Sequence, residues 1–291
     1  MNKDIYHRIG RCIKNSYKKL RGEKAIKILN KKDVSNIILP EGDEVIVTLT
    51  AIPSRLTGLV YVIKSIFLQT MLPNKIIVYF GNDVKINHIP VELMNYTKRG
   101  LEFRFKDENF KSHKKYIYAL AEFKNSLIIT IDDDLIYPED LISKLYLTHK
   151  EFQNCIIASR AHKITFSNKG KINKYDDFVY ECKDSCIESF LYLATSGAGC
   201  LFPPNAIQEC FLDWDLISSF SEGADDIWLK FAEIASGTKC VICEHSPWKH
   251  TIEIPNTQEN SLNYYNVEKK RNDEYLEKCI RYFGFTQSDF E

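Results

Sequence analysis

The chain has 291 residues, 44% hydrophobic and 27% charged, and its 39 Lys and Arg balance 39 Asp and Glu to a formal net charge of zero. That is an ordinary globular balance with ample material for a sizeable core, and it gives bulk electrostatics no reason to recruit nucleic acid. No apolar run approaches the roughly eighteen residues that a membrane-spanning helix needs.

Charge is unevenly distributed. Residues 1–32 hold eleven Lys or Arg against Asp4 and Glu23 alone. Within this stretch Ile5, Ile9, Cys12, Ile13, Tyr17 and Leu20 recur at helical spacing, predicting one narrow apolar stripe on a basic helix. Such a helix either lies on an anionic membrane surface, here the inner face of the cell membrane, or packs with a solvated face. No apolar core of a secretory leader follows the basic N-terminus. The nine cysteines are odd in number and widely spread, several of them in apolar runs. The expectation is a reduced, cytoplasmic protein, with residues 1–33 as a basic segment, 34–255 as the core domain and 256–291 as a helical extension packed on it.

From residue 44 strands and helices alternate. Glu44 to Thr50 reads as the first core strand, Ala51 to Arg55 as a loop, and Leu56 to Gln69 as an amphipathic helix. Lys75–Phe80 and Leu101–Phe105 read as strands, and Lys111 to Phe123 as a helix. Leu127 to Ile131 is a short β-branched run of the kind buried on both faces of a sheet. A helix is predicted from Pro138 to His149, strands over Cys155–Ser159 and Ala161–Phe166, and a turn over Ser167–Lys171. Thr195 to Pro204 is a small-residue loop entering a short strand, and Asn205–Phe211 a helical turn or two. Asp225–Ala235 is a helix stopped at Gly237, Lys239–Cys243 a last strand, and Asn266–Phe283 a closing helix. The β-α-β alternation predicts an α/β fold, with a mixed, mostly parallel sheet flanked by helices.

The run at Leu127 ends in Asp132-Asp133-Asp134. In open α/β sheets ligands bind just beyond the carboxyl ends of the strands. Two carboxylates ~5 Å apart repel by roughly 3 kcal/mol at an effective dielectric near 20. A divalent cation would remove that cost, and Mg²⁺-like ions are commonly held by one or two carboxylates plus substrate phosphates. The competing reading is a solvated acidic turn at a helix start; the buried strand in front favours the metal–phosphate site.

A second acidic pair, Asp225-Asp226, opens a helix. One of the two either caps that helix or acts as general base toward an acceptor hydroxyl. Gly197-Ala198-Gly199 is either a close backbone approach to a ligand or a tight turn. Arg55, Lys114 and Lys115 are candidate diphosphate partners. Trp214 and Trp228 either stack on a sugar or fill core, and core is the simpler reading for Trp228. Cys240 and Cys243 have the spacing of half a zinc site, but no second pair follows and strand formers separate them. His245 or His250 could complete a metal sphere, with His250 preferred. Neither a Walker A loop nor a GxGxxG fingerprint is present.

Several segments together resemble GT-A fold nucleotide-sugar glycosyltransferases, close to the family 2 type and its bacterial capsular and cell-envelope polysaccharide relatives. They are Val47 to Arg55, Ser65 to Gln69, Ile131 to Asp134, Gly197 to Gly199 and Ala224 to Trp228, spanning about residues 44–250. The resemblance implies that Thr50, Ala51, Ile52 and Arg55 cradle a nucleotide, with Asp83 at its base. It implies Asp132, beside Asp133, toward the ribose and Asp134 on Mn²⁺ or Mg²⁺, with Asp132 and Asp134 forming the DxD pair. Asp226 would be the base of an inverting displacement, although Asp225 stands where the family carries Glu, so either acid could serve. The basic motif of processive synthases is absent after the base, which implies single-sugar addition. The implied partners are a nucleotide-sugar donor, UDP-linked by expectation, and a glycan or lipid-linked saccharide acceptor. A sugar-phosphate nucleotidyltransferase and a non-catalytic glycan-binding relative are the alternatives.

Overall fold

The computed structural model describes residues 3–32, 42–257 and 271–291, with side chains of the first segment from Lys14 onward. The elements in chain order are α1 (Lys3–Lys31), β1 (Val45–Thr50), α2 (Leu56–Phe67), β2 (Lys75–Phe80), α3 (Val91–Met94), β3 (Leu101–Phe105), α4 (Lys114–Glu122) and β4 (Leu127–Thr130). They continue with β5 (Leu135–Ile136), α5 (Leu141–Glu151), β6 (Ile156–Ala158), β7 (Ala161–Lys163), β8 (Tyr192–Ala194), β9 (Cys200–Phe202), α6 (Trp214–Ser221), α7 (Asp225–Ala235), β10 (Cys240–Ile242), β11 (Ile252–Glu253) and α8 (Arg271–Phe283).

Seven strands form one sheet in the order β10-β6-β9-β4-β1-β2-β3. All pairings are parallel except those of β9, which runs antiparallel to both β4 and β6. β1 and β4 are near-continuous apolar runs because helices cover both sheet faces. The pleat sorts their side chains. Val45, Val47 and Leu49 pack with α2 and α5, while Ile46 packs with α4 and α7 through Tyr116 and Trp228. β3 has only one neighbour and is correspondingly half-buried. This is the architecture expected from the sequence.

Two predicted boundaries move by a full turn or a strand end. The helix expected from Pro138 begins at Leu141, because Pro138, Glu139 and Asp140 form a turn closed by the Leu141 N–H on the Pro138 carbonyl. The strand expected over Ala161–Phe166 ends at Lys163, opposite Tyr192, where its antiparallel partner β8 begins. The start of the closing helix expected at Asn266 lies outside the described residues, as does the boundary expected at residues 33 and 34. The helix α6 carries no element in the sequence reading. Its signal is Asp213, whose side chain accepts from the Leu216 N–H as an N-cap.

The helix α1 docks by its C-terminal half. Gly22, Ala25 and Leu29 are buried, and a Cβ at Gly22 would come within 2.7 Å of the Glu253 carbonyl, so the glycine permits the close approach. Residues Lys14 to Arg21 are exposed, including Tyr17 and Leu20. All eight described cysteines are free thiols. Cys240 and Cys243 join opposite core clusters, on the two sides of the sheet, which excludes joint chelation of one ion.

Candidate active site

The strands β1, β2, β4, β6 and β10 end at one edge of the sheet, and β9 begins there because it runs the other way. A cavity of about 540 Å³ opens along this edge. It is lined by Thr50, Ile52, Arg55, Lys114, Lys115, Asp132, Asp133, Asp134, Asp225 and Asp226. Two acidic groups, the nearest members Asp134 and Asp225 lying 91 residues apart in sequence, thus meet in one place. Two buried threonines fix the parts that converge: Thr48 Oγ1 donates to the Lys115 carbonyl at 2.6 Å, and Thr130 Oγ1 to the Ser196 carbonyl at 2.8 Å.

Each acid of the triplet is held differently. Asp133 is buried and receives Arg55 Nη1 at 2.6 Å and the Ile52 N–H at 3.3 Å. The same Arg55 nitrogen lies 3.2 Å from Asp134 Oδ2. Asp132 accepts from Lys115 Nζ at 2.8 Å, and its backbone N–H donates to the Tyr137 hydroxyl, which in turn donates to the Gly197 carbonyl at 2.6 Å. The repulsion anticipated within the triplet is therefore relieved first by the chain's own Arg55 and Lys115.

Lys115 is the hub of the site. Its side chain is 3% exposed, and it reaches Asp225 Oδ2 at the same 2.8 Å as Asp132. Burial opposes its charge, but Asp132, Asp225 and Asp226 outweigh burial and push its pKa up. It was expected to meet a diphosphate; the structure commits it to carboxylates instead. Lys114 is also buried, with Nζ donating to Asn109 Oδ1 at 2.5 Å, and burial lowers its pKa against the pull of Asp83 and Asp133.

Asp225 and Asp226 are neighbours with opposite fates. Burial works against the Asp225 charge, but Lys115 and the Ser196 hydroxyl at 2.8 Å hold it well below the usual carboxylate range. Asp226 is partly exposed to the cavity and accepts from Ser196, whose N–H lies 2.8 Å away. Burial and the Asp225 charge push its pKa up to about 6. Adjacent acids driven apart in this way are a recurrent arrangement for assigning a proton acceptor.

Of the remaining sequence candidates, Ala51 is buried behind the rim. Thr50 Oγ1 is buried without a hydrogen-bond partner among the described residues. Asp83 stands beside Gly81 and Asn109, outside the cavity lining. His250 does not join the acids. The turn Pro247–His250, capped by Ser246, sends Trp248 to the cavity and His250 to a separate hollow of about 280 Å³ beside α1. His245 is 81% exposed at its side chain. Trp228 is fully buried core, and Trp214 stacks on Phe110 with ring centroids 4.6 Å apart. Sequence reasoning passed over Ser196, Tyr137, Arg160 and Glu181. Only the position of Ser196 beside Gly197 marked any of them.

A divalent cation suits the donor chemistry of this cavity. Seven carboxylates line it against five Lys and Arg, a surplus of two negative charges. Among the described residues no three acidic, His or Cys side chains form a ready-made metal cluster. Asp132, with its side chain 42% exposed and paired with Lys115, and Asp134, paired with Arg55, would be the carboxylates to hold an ion completed by phosphate oxygens.

No protein-family model and no curated protein matches the sequence. Among solved structures the chain is similar to S. aureus TarS 1–349 in complex with UDP, with a TM-score of 0.46 and 9% identity over 69% of this chain and 58% of that one. The chain thus spans less than two thirds of the TarS fragment. It is also similar to a 4-diphosphocytidyl-2C-methyl-D-erythritol synthase, with a TM-score of 0.44 and 9% identity over 75% of this chain and 95% of that one. A third similar structure is the inositol-1-phosphate CTP transferase of T. maritima, with a TM-score of 0.44 and 11% identity over 81% and 95%.

Proposed function

We propose that the protein is a metal-dependent glycosyltransferase that moves a sugar from a nucleotide diphosphate donor, UDP-linked by preference, to a hydroxyl of a surface-glycan acceptor. The observation that carries this reading is the pair Asp225–Asp226 facing Asp132–Asp134 across one cavity at the carboxyl edge of the sheet. Thr50, Ile52 and Arg55 would border the nucleotide, and Asp132 and Asp134 would hold Mn²⁺ or Mg²⁺. The ion supplies charge stabilisation for a departing diphosphate.

Asp226 would accept the proton of the acceptor hydroxyl. The freed oxygen bonds to the anomeric carbon as the bond from that carbon to the diphosphate oxygen breaks, and the nucleoside diphosphate leaves with the electron pair. Asp225, held ionised by Lys115 and Ser196, keeps its neighbour basic and in place. One displacement inverts the anomeric centre.

The test is a panel of nucleotide-sugars with purified protein and Mn²⁺, scored for nucleoside diphosphate release with and without EDTA. Metal-dependent release from one donor supports the proposal and names the sugar. Pyrophosphate release from a nucleoside triphosphate and a sugar phosphate would establish a nucleotidyltransferase instead.

The same proposal includes a seat on an anionic lipid surface. Leu20 and the docked Leu29 are nine residues apart, two and a half turns, so they face opposite sides of α1. Leu20 is 65% and Tyr17 67% exposed, with Lys14 and Lys19 exposed beside them, whereas Lys18 turns back to Glu253. An apolar stripe flanked by lysines and turned away from the protein body complements anionic lipid.

A further inference from the structure

The cavity has a second wall, built from Arg160 just past β6, His162 in β7, Tyr175, Tyr180 and Glu181 in the excursion between β7 and β8, and Trp248. Arg160 is its centre. The guanidinium carbon lies 3.9 Å from the centroid of the Trp248 ring, and Nε donates to Thr195 Oγ1 at 2.8 Å. The indole is itself fixed, its Nε1 donating to Glu181 Oε1 at 2.9 Å.

Arg160 contrasts with Arg55 and Lys115. Arg55 and Lys115 each hold two carboxylates, whereas Arg160 forms no ion pair among the described residues. Stacking and the Nε bond fix the plane of the guanidinium and leave the paired Nη donors, the fork that binds phosphate or carboxylate through two parallel bonds. A cation held in one orientation on a cavity wall, with no acid of its own, is built for an anion from outside.

The sheet order says which substrate brings that anion. β6 lies two positions from β4, about 10 Å along the sheet edge, and on the side away from β1. The nucleotide-side residues Thr50, Ile52 and Arg55 follow β1, so Arg160 stands at the other end of the cavity. Its tether, Thr195, is the residue before Ser196, whose N–H holds Asp226. A group bound by Arg160 therefore sits within about a sugar ring of the base.

We propose that Arg160, laid on Trp248, is the anion-recognition element of the acceptor subsite, so that the acceptor carries a phosphate or carboxylate close to its reacting hydroxyl. The inference rests on the glycosyltransferase reading and adds the chemical class of the acceptor to it.

The experiment is calorimetry on the full chain saturated with UDP and Mg²⁺, so that the donor end is filled. The titrants are glucose 6-phosphate, glucuronate and the neutral methyl glucoside. We expect saturable binding of at least one anion and none of methyl glucoside at the same concentrations. Arg160→Gln should weaken the anion about tenfold or more, and Arg160→Lys, which keeps the charge but not the fork, should weaken it less. UDP affinity should stay within about twofold in both variants. Which anion binds decides between phosphate and carboxylate. Equal anion affinity in Arg160→Gln, or loss of UDP in parallel with the anion, overturns the assignment, and Arg160→Lys carries the test if the Gln variant does not fold. Wild-type protein that binds UDP but neither anion overturns this inference alone; protein that binds no UDP overturns the parent reading with it.

Discussion

Gly197 leaves the space that Asp132 occupies: a Cβ on Gly197 would lie 1.7 Å from Asp132 Oδ2 and 2.1 Å from its carboxyl carbon. The backbone at this residue is outside the left-handed region, so the requirement is one of room and not of dihedral angle. Gly197→Ala should therefore displace the Asp132 carboxylate while leaving the strands in place. We expect nucleoside diphosphate release to fall by about 100-fold, since small misplacements of positioning groups have costs of that order. The far-ultraviolet circular dichroism should be unchanged.

Lys115 compensates two acids from a position almost without solvent. Lys115→Met leaves Asp132 and Asp225 facing each other without it. Removing one partner of a buried ionic cluster costs about 3–5 kcal/mol, and urea denaturation at pH 7 should show a loss of that size. The double variant Lys115→Met/Asp225→Asn should recover part of it.

Asp226 makes activity and stability move in opposite directions with pH. Its folded-state pKa, about 6, lies above the ordinary carboxylate value near 4. As a base it works when deprotonated, so kcat/KM should rise through pH 6 and level off above it. For folding the sign reverses: the native state binds this proton more tightly, so its contribution is present at low pH and is lost as pH rises from about 4 through about 6. Asp226→Asn should lower kcat by about 10²–10⁴ yet raise the thermal midpoint at pH 7, with the gain vanishing near pH 4. Activity that survives in Asp226→Asn but not in Asp225→Asn would transfer the role of base to Asp225.

Two carboxylates without a third make a weak metal site until phosphate oxygens join them. Mn²⁺ binding, followed by electron paramagnetic resonance, should tighten at least about tenfold when UDP is added. Asp134→Asn should abolish that enhancement. Equal Mn²⁺ affinity with and without UDP would show that the phosphate takes no part.

The exposed half of α1 can be tested apart from its docked half. Leu20→Glu should reduce co-sedimentation with anionic vesicles about fivefold or more and leave the thermal midpoint unchanged, because Leu20 is largely exposed. Leu29→Ala, on the buried face, should instead lower stability by about 2 kcal/mol or more.

The parts legible in the sequence are those whose signal is local. Leu127 to Thr130 reads as a buried strand from its β-branched run, and the acids after it fall at a sheet edge by rule. Asp225 and Asp226 open a helix by composition alone. What stayed hidden depends on strands distant in sequence becoming neighbours. Nothing near Lys115 announces that one ammonium will serve acids at 132 and 225, because that follows from Thr48 pinning the start of α4 beneath β1. Arg160 looked like any loop arginine until β6 took its place beside β9. His250 stands apart from the acids because the turn Pro247–His250 turns it to the hollow beside α1, which no local pattern announces.

The reversal of β9 has a consequence for how such a chain diversifies. The cavity wall from Thr50 to Asp134 is complete before β6 is reached, whereas the opposite wall is drawn mainly from residues 160–181. That stretch leaves the sheet after β6 and returns at β9, carrying its own two-stranded β7–β8 ribbon. Its length and side chains can drift without disturbing the register of β1, β4 or β9. On the proposed function, the acceptor end is thereby free to vary while the donor end keeps its form.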